Sequence, residues 1–266
     1  MYPILFKIGD YTIYTYGFVM VCAFIICITL VLKSFPKEIL SYFDIYNFCL
    51  ITLVSLLIGN KLIALFMNGD FSLQSFMAIF KLWEKSNLGT YPSLLFAMSL
   101  ILLYCKVRNI PVLPTLDFLL PYVVLGIAIQ RTFGCFSAGC CHGSPTDMPW
   151  GFYFPEASPA GSAFLNVSIH PTQIYYGLST LSVYYLLIIL ERRLKKIKGA
   201  ITVWAMIGIS GTYFMVSFFR GDMKKIMWQL TNGQFISLAV FILSIVLLIY
   251  LKYDFARNKL STKEDH

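Results

Sequence analysis

Charge is scarce in this chain. Only 13% of its 266 residues are Asp, Glu, Lys or Arg, against about 25% in a soluble domain. With 58% hydrophobic residues beside so few charges, an ordinary cytosolic enzyme and a disordered tail are both excluded. Acidic residues are the scarcer sign, 13 against 21 basic ones, which leaves a net charge of +8. In a soluble chain that excess would suggest nucleic acid. Here the basic residues gather at the ends of apolar runs, so no nucleic-acid partner is expected. A disulfide scaffold is excluded too, because Cys22, Cys27, Cys49 and Cys105 lie inside apolar runs, where a small, weakly polar side chain packs well. The first apolar run is too long for a signal-peptide core and lacks a small-residue cleavage site, so it reads as a retained span. No internal repeat is evident. An integral membrane protein remains.

What is present is a succession of apolar runs. Crossing about 30 Å of hydrocarbon takes roughly 20 apolar residues as a helix. Seven runs are candidates, at about 13–32, 46–68, 92–105, 115–135, 171–191, 199–219 and 233–251. The sequence therefore predicts an all-α, polytopic membrane domain over residues 1–266, with seven transmembrane helices. With the N-terminus outside, 13 of the 21 basic residues fall on inner segments and six on outer ones. The positive-inside rule then places the C-terminus in the cytoplasm. Residues 252–266 read as a basic cytoplasmic tail at the membrane surface. The longest loop, 136–170, faces outward and contains no Lys or Arg. Loops of this length without structure of their own are uncommon and often functional.

Ionisable groups inside spans cost roughly 2.5–3.5 kcal/mol even on a lenient insertion scale, so each needs a reason. Lys61 sits within Gly59-Asn60-Lys61-Leu62 in an otherwise apolar helix. Asp117 opens the fourth span and Arg131 closes it. They share a helix face but lie about 21 Å apart by the 1.5 Å rise, so they are not partners. A helix N-cap explains Asp117 as well as a substrate contact does. Arg131 runs straight into the Gly134-Cys135 turn with no lipidic spacer, which argues against snorkelling. A planar guanidinium there suits a phospholipid phosphate, which it binds bidentately. Arg220, between Phe218-Phe219 and Gly221-Asp222, is either an exposed arginine paired with Asp222 or a second phosphate contact on the same face.

Cys135, Cys140, Cys141 and His142 form a C-x4-C-C-H run that invites a metal or redox reading. Zinc sites usually use C-x2-4-C pairs separated from a second pair, and adjacent cysteines bond to each other only with strain. The spacing therefore favours small side chains packed at a tight turn, and no metal is expected. His170-Pro171-Thr172-Gln173-Ile174-Tyr175-Tyr176 opens the fifth span with a histidine, a hydroxyl, an amide and two phenols. An aromatic belt with Pro in the first turn is the plain explanation; a substrate contact facing Arg131 is the other.

Taken in order, these segments resemble the prolipoprotein diacylglyceryl transferase family. Ile8-Gly9-Asp10 with Thr15-Tyr16-Gly17 looks like its opening, with Tyr16 at its functional tyrosine. Gly59-Asn60-Lys61-Leu62 stands where the family has a Gly-Gly-Arg-Leu type motif. Asp117, Pro121 and Arg131 match its Asp, Pro and essential Arg, and Arg131 through Gly143 spans its signature. His170-Pro171-Thr172-Gln173-Ile174-Tyr175, Phe219-Arg220-Gly221-Asp222 and Gly233-Gln234 match later blocks. The chain departs from the pattern at Tyr91, where the family has His before two glycines, and at Cys135, Cys140, Tyr213 and Ser217.

The resemblance implies transfer of diacylglyceryl from phosphatidylglycerol to the lipobox cysteine thiol of a secreted prolipoprotein, in a bacterial plasma (inner) membrane. It implies no cofactor, and the protein is expected to be a monomer. Arg131 is the foremost phosphate stabiliser, Tyr91 a hydrogen-bond donor because phenols stay protonated at neutral pH, and His170 the candidate proton acceptor. Tyr16, Lys61, Asp117, Cys135, Gly143, Gln173 and Arg220 are the expected substrate contacts. Two alternatives stay open: a relative that binds phospholipid or uses another acceptor, and a membrane thiol or metal protein built on Cys135, Cys140 and Cys141. The topology has its own test. Single cysteines placed at Lys196 and Ser158 are expected to react with an impermeant reagent from opposite sides of the membrane, and reaction from the same side contradicts it.

Overall fold

The chain begins with strand rather than helix. In the computed structural model, which describes residues 4–8, 11–68, 91–194 and 196–264, β1 (Ile4–Ile8) pairs antiparallel with β2 (Tyr11–Tyr14). The apolar positions alternate, Ile4, Phe6, Ile8 and then Ile13, as strand periodicity requires. This hairpin is added to an otherwise helical architecture; after it the described elements are helices, joined by loops that carry isolated β-bridges. Helix α1 (Thr15–Ser34), α2 (Tyr42–Asn68), α3 (Tyr91–Val107) and α4 (Val112–Ile129) follow. Next come the one-turn α5 (Pro159–Ala163), α6 (Thr172–Leu194), α7 (Ala200–Val216) and α8 (Asn232–Glu264). Among the described residues five helices are long and apolar enough to cross a membrane, starting at Thr15, Val112, Thr172, Ala200 and Asn232, with shorter apolar helices at Tyr42–Leu56 and Leu95–Val107. Helix α8 runs on to Glu264, so the basic segment after Tyr250 continues the last helix instead of leaving it as a tail.

Two compact units make up the chain, residues 32–115 and residues 1–31 with 116–266. In the smaller, the Asp44 carboxylate accepts from Ser41 N (2.9 Å) and Ser41 Oγ (2.6 Å), while Ser41 Oγ accepts from Asp44 N. This reciprocal arrangement satisfies free amides at the start of α2. Tyr104 on α3 donates to the other oxygen of Asp44 at 2.8 Å. The side chains of Lys61 and Tyr91, both in this unit, lie outside the described residues.

In the larger unit Val124, Leu187, Ile201 and Ala205 form a core shared by α4, α6 and α7. Outward-facing apolar residues such as Phe18, Val21, Leu186, Ile189, Ile242 and Val246 are exposed on the helices, as lipid-facing positions are. Thr231 and Gln234 cap α8 reciprocally, Thr231 N donating to Gln234 Oε1 and Gln234 N to Thr231 Oγ1.

Asp117 does not open its helix, because α4 starts at Val112. Its carboxylate reaches the start of α7 instead, accepting from Gly199 N (2.6 Å), Thr202 N (2.7 Å) and Thr202 Oγ1 (2.7 Å). This ties α4 to the positive end of α7. Its contacts are those of a helix clamp, at the far end of α4 from Arg131, in place of the substrate contact expected from sequence. Ser158, which N-caps α5 and is buried, is a poor labelling position, and the exposed Glu156 replaces it in the topology test. Charged hydrogen bonds of this kind contribute about 1.5–3 kcal/mol. Asp117→Ala is therefore expected to lower stability by about 2–3 kcal/mol and Asp117→Asn by less. Thermal unfolding of the detergent-purified protein measures both, and an unchanged midpoint for Asp117→Ala contradicts the clamp.

Candidate active site

Near its C-terminal end α4 loses regular α geometry. Gln130–Cys135 form a π-helical stretch, and Phe136–Ala138 complete a last turn that Gly139 stops with φ +67°. A π insertion widens the helix by one residue per turn and is frequent at functional sites. Here it aims Gln130, Arg131 and Cys135 into the protein. Arg131 is only 5% exposed, so it does not snorkel to lipid headgroups.

Sulfur surrounds the guanidinium. Arg131 Nη1 donates to Cys141 Sγ at 3.0 Å and to Cys135 Sγ at 3.8 Å. Its Cζ lies 5.2 Å from the centroid of the Tyr176 ring, within cation–π range. Gln130 Nε2 donates to Cys135 Sγ (3.1 Å) and to Tyr16 Oη (3.0 Å), which places the Tyr16 hydroxyl beside the sulfur cluster. The three sulfurs of Cys135, Cys140 and Cys141 all lie within 4.8 Å of one another, so the fold gathers thiols whose spacing argued against a cluster.

The turn carrying two of those sulfurs is fixed by the start of α6. Thr172 Oγ1 donates to the Cys141 carbonyl (2.6 Å) and Gln173 Nε2 to the Cys140 carbonyl (2.8 Å). Gln173 is fully buried, and its Oε1 has no hydrogen-bond partner among the described residues. Cys141 takes a left-handed φ of +56°, which curls the Cys140-Cys141 pair back toward Cys135. Beyond it, Gly143 pairs with Arg220 in an isolated antiparallel bridge, supported by Ser144 N to Phe219 O, Gly221 N to His142 O and His170 N to Ser144 O. Glycine is required there: a Cβ on Gly143 would run into the His170 carbonyl, and one on Gly221 would sit 2.5 Å from the Gly143 oxygen.

The bridge also buries Arg220, to 8% exposure, against the expectation of an exposed side chain. Asp222 takes it bidentately, Nε to Oδ1 at 2.8 Å and Nη2 to Oδ2 at 2.6 Å. Both guanidiniums act on Cys141. Hydrogen bonds from the Cys135 and Cys140 thiols, joined by the Arg131 and Arg220 charges, hold the Cys141 thiol well below its ordinary range, while Cys140, the donor, is pushed up. Two buried cations therefore stand over one turn.

His170 is held differently. Its Nδ1 faces Tyr175 Oη at 3.1 Å, that hydroxyl accepts from Trp150 Nε1 at 2.8 Å, and the ring stands edge-on to Phe219 at 5.2 Å. These contacts box it between Tyr175 of α6 and Phe219 beyond α7, with Trp150 of the 139–171 loop behind Tyr175. That loop has a core of its own, Phe154, Ala160 and Ile169 with Phe136 and Phe164. Tyr213 and Ser217, two of the departing positions, meet at Tyr176: its hydroxyl lies 2.9 Å from Ser217 Oγ and 3.5 Å from the Tyr213 carbonyl. Sequence reasoning missed Gln130 and Tyr176. An amide next to Arg131 inside an apolar run was the available signal for Gln130; Tyr176 had none beyond its place in a tyrosine pair.

Comparison with known proteins points the same way. Residues 3–250 match the family model described as prolipoprotein diacylglyceryl transferase. The phosphatidylglycerol–prolipoprotein diacylglyceryl transferase of Clostridium tetani is 29% identical over 247 residues, covering 92% of this chain and 96% of that protein. The protein of the same name from Ligilactobacillus salivarius is 26% identical over 255 residues, 95% and 94% of the two chains. That of Chlamydia caviae is 31% identical over 224 residues, 81% and 74%. A chain matched over nearly its whole length, with Arg131, Gln173 and Arg220 converging on one turn, belongs to the prolipoprotein diacylglyceryl transferase family.

Proposed function

We propose that this protein transfers the diacylglyceryl group of phosphatidylglycerol to the lipobox cysteine of a prolipoprotein. It does so as a multi-pass protein of the bacterial plasma membrane, with seven spans, its N-terminus outside and the Cys141 turn at the outer leaflet. The acceptor sulfur attacks the glycerol carbon, the C–O bond to phosphate breaks, and glycerol phosphate leaves with the electron pair. Charge grows on the leaving phosphate, so fixed cations in a water-poor site stabilise the transition state more than the ground state. The observation that carries this reading is the convergence of two buried guanidiniums, Arg131 and Arg220, on one turn. Tyr16, Gln173 and Gly143 frame that corner through Gln130, the Cys140 carbonyl and the Arg220 bridge. His170 is the further residue of the larger unit proposed to serve the reaction; Tyr91 and Lys61, expected from sequence, have side chains outside the described residues.

Lysine keeps the charge of arginine but not its two-pronged donor. Losing one such contact in the transition state costs about 3 kcal/mol, roughly a hundredfold in turnover. Arg131→Lys is therefore expected to be nearly as inactive as Arg131→Ala. Arg220→Lys, at a buried position that grips Asp222 with two nitrogens, is expected to lose about tenfold or more. Transfer to a lipobox peptide at equal protein levels measures all three. Near-wild-type turnover in Arg131→Lys removes Arg131 from the phosphate site.

A further inference from the structure

We infer that Cys135, Cys140 and Cys141 form a three-thiolate site for one zinc ion, whose fourth position takes the acceptor thiol. The inference deepens the proposed function and rests on it for the identity of that acceptor. Geometry is the first support. Tetrahedral zinc with Zn–S bonds of about 2.3 Å holds its sulfurs about 3.8 Å apart. The three Sγ atoms already lie within 4.8 Å of one another, so side-chain rotation of modest size closes the site. Three protein ligands with one open position is the pattern of catalytic zinc, whereas structural zinc has four.

The second support is what surrounds the sulfurs. Ligand sulfurs in metal sites are oriented by outer hydrogen bonds, which set their charge and direction. Gln130 Nε2 already donates to Cys135 Sγ and Arg131 Nη1 to Cys141 Sγ. Three thiolates around a divalent cation carry one net negative charge, and the buried Arg131 guanidinium, in contact with Cys141 Sγ, balances it. The backbone is set as well: Thr172 and Gln173 anchor the carbonyls of Cys141 and Cys140, and the left-handed Gly139 and Cys141 turn the pair toward Cys135. Strain of that kind at a non-glycine residue persists where surrounding structure enforces it, and it gathers at functional sites.

The third support is chemical. The reaction alkylates a sulfur, and only the thiolate is nucleophilic. His170, the proton acceptor expected from sequence, is engaged by Tyr175 and Phe219. A thiol that coordinates zinc is deprotonated outright. The acceptor thiol displaces water from zinc and releases its proton to solvent. Its sulfur then forms the S–C bond to glycerol as the C–O bond breaks, with the electron pair leaving on the phosphate oxygen beside Arg131. No oxidation change occurs. The product thioether, neutral and a weak ligand, leaves the metal.

The full-length protein, reduced and chelator-stripped in detergent, is titrated anaerobically with Co(II) as the spectroscopic stand-in for zinc. Expected is a sulfur-to-Co(II) charge-transfer band with strong tetrahedral d–d absorption, saturating at one ion per chain and erased by one equivalent of Zn(II). Cys135→Ser, Cys140→Ser and Cys141→Ser should each abolish or red-shift the saturable band. A wild-type measurement covers variants that fail to fold: Zn(II) should protect Cys135, Cys140 and Cys141, and not Cys22 or Cys49, from maleimide alkylation read by peptide mass. A lipobox peptide should shift the d–d bands, and its Cys→Ser counterpart should not. Absence of the thiolate band in the wild type, or its survival when all three cysteines are serine, overturns the site; bands indifferent to the peptide overturn the acceptor role. None of these readouts needs turnover. Metal binding in a protein that fails to modify any peptide overturns the proposed function and leaves the metal site standing.

Discussion

Everything around the site depends on how one buried guanidinium is accommodated. An arginine near a membrane-spanning helix end costs several kcal/mol unless polar partners replace water. Arg131 finds its partners in two sulfurs and the face of Tyr176. Arg220 is met by the Asp222 carboxylate instead. The two buried cations thus reach the same turn with different partners, sulfur and an aromatic face for one and a carboxylate for the other.

Holding Arg131 there requires the surrounding backbone to be over-determined. The π stretch supplies the rotation of Arg131, and the Gly143–Arg220 bridge closes the turn from the other side. Thr172 and Gln173 join that turn to α6. These constraints are hydrogen bonds to the backbone, from side chains or from other backbone amides, and glycine contacts with no room for a methyl group. Rigid placement of this kind is what lets charge stabilisation favour the transition state, since no reorganisation is needed as the phosphate departs.

Much of this architecture was legible in the sequence because apolar length and loop charge are one-dimensional signals. Among the described residues the apolar runs fall on helices, five of them long and apolar enough to cross a membrane, and the charged Asp117 that interrupts one of them clamps a neighbouring helix. Long-range geometry was not legible. Asp117 looked like the cap of its own helix, but α4 begins five residues earlier, and the carboxylate serves α7, 82 residues away along the chain at Gly199. Arg220 looked exposed because Gly221 and Asp222 follow it; a bridge to Gly143 buries it. The C-x4-C-C spacing looked wrong for a cluster because such rules assume ordinary hairpins, and here a π stretch and a left-handed cysteine bring the sulfurs together. The N-terminal hairpin, two strands of five and four residues, was too short to register beside the long apolar runs.

The central claim is that this cysteine-bearing site performs diacylglyceryl transfer although family positions have become Tyr91, Cys135, Cys140, Tyr213 and Ser217. The most direct measurement is complementation in a bacterial strain depleted of its own diacylglyceryl transferase, reading the mass of a reporter lipoprotein's lipobox peptide. The account predicts a reporter carrying the diacylglyceryl thioether and restored growth. An unmodified reporter, with this protein present in the membrane at normal levels, would contradict it.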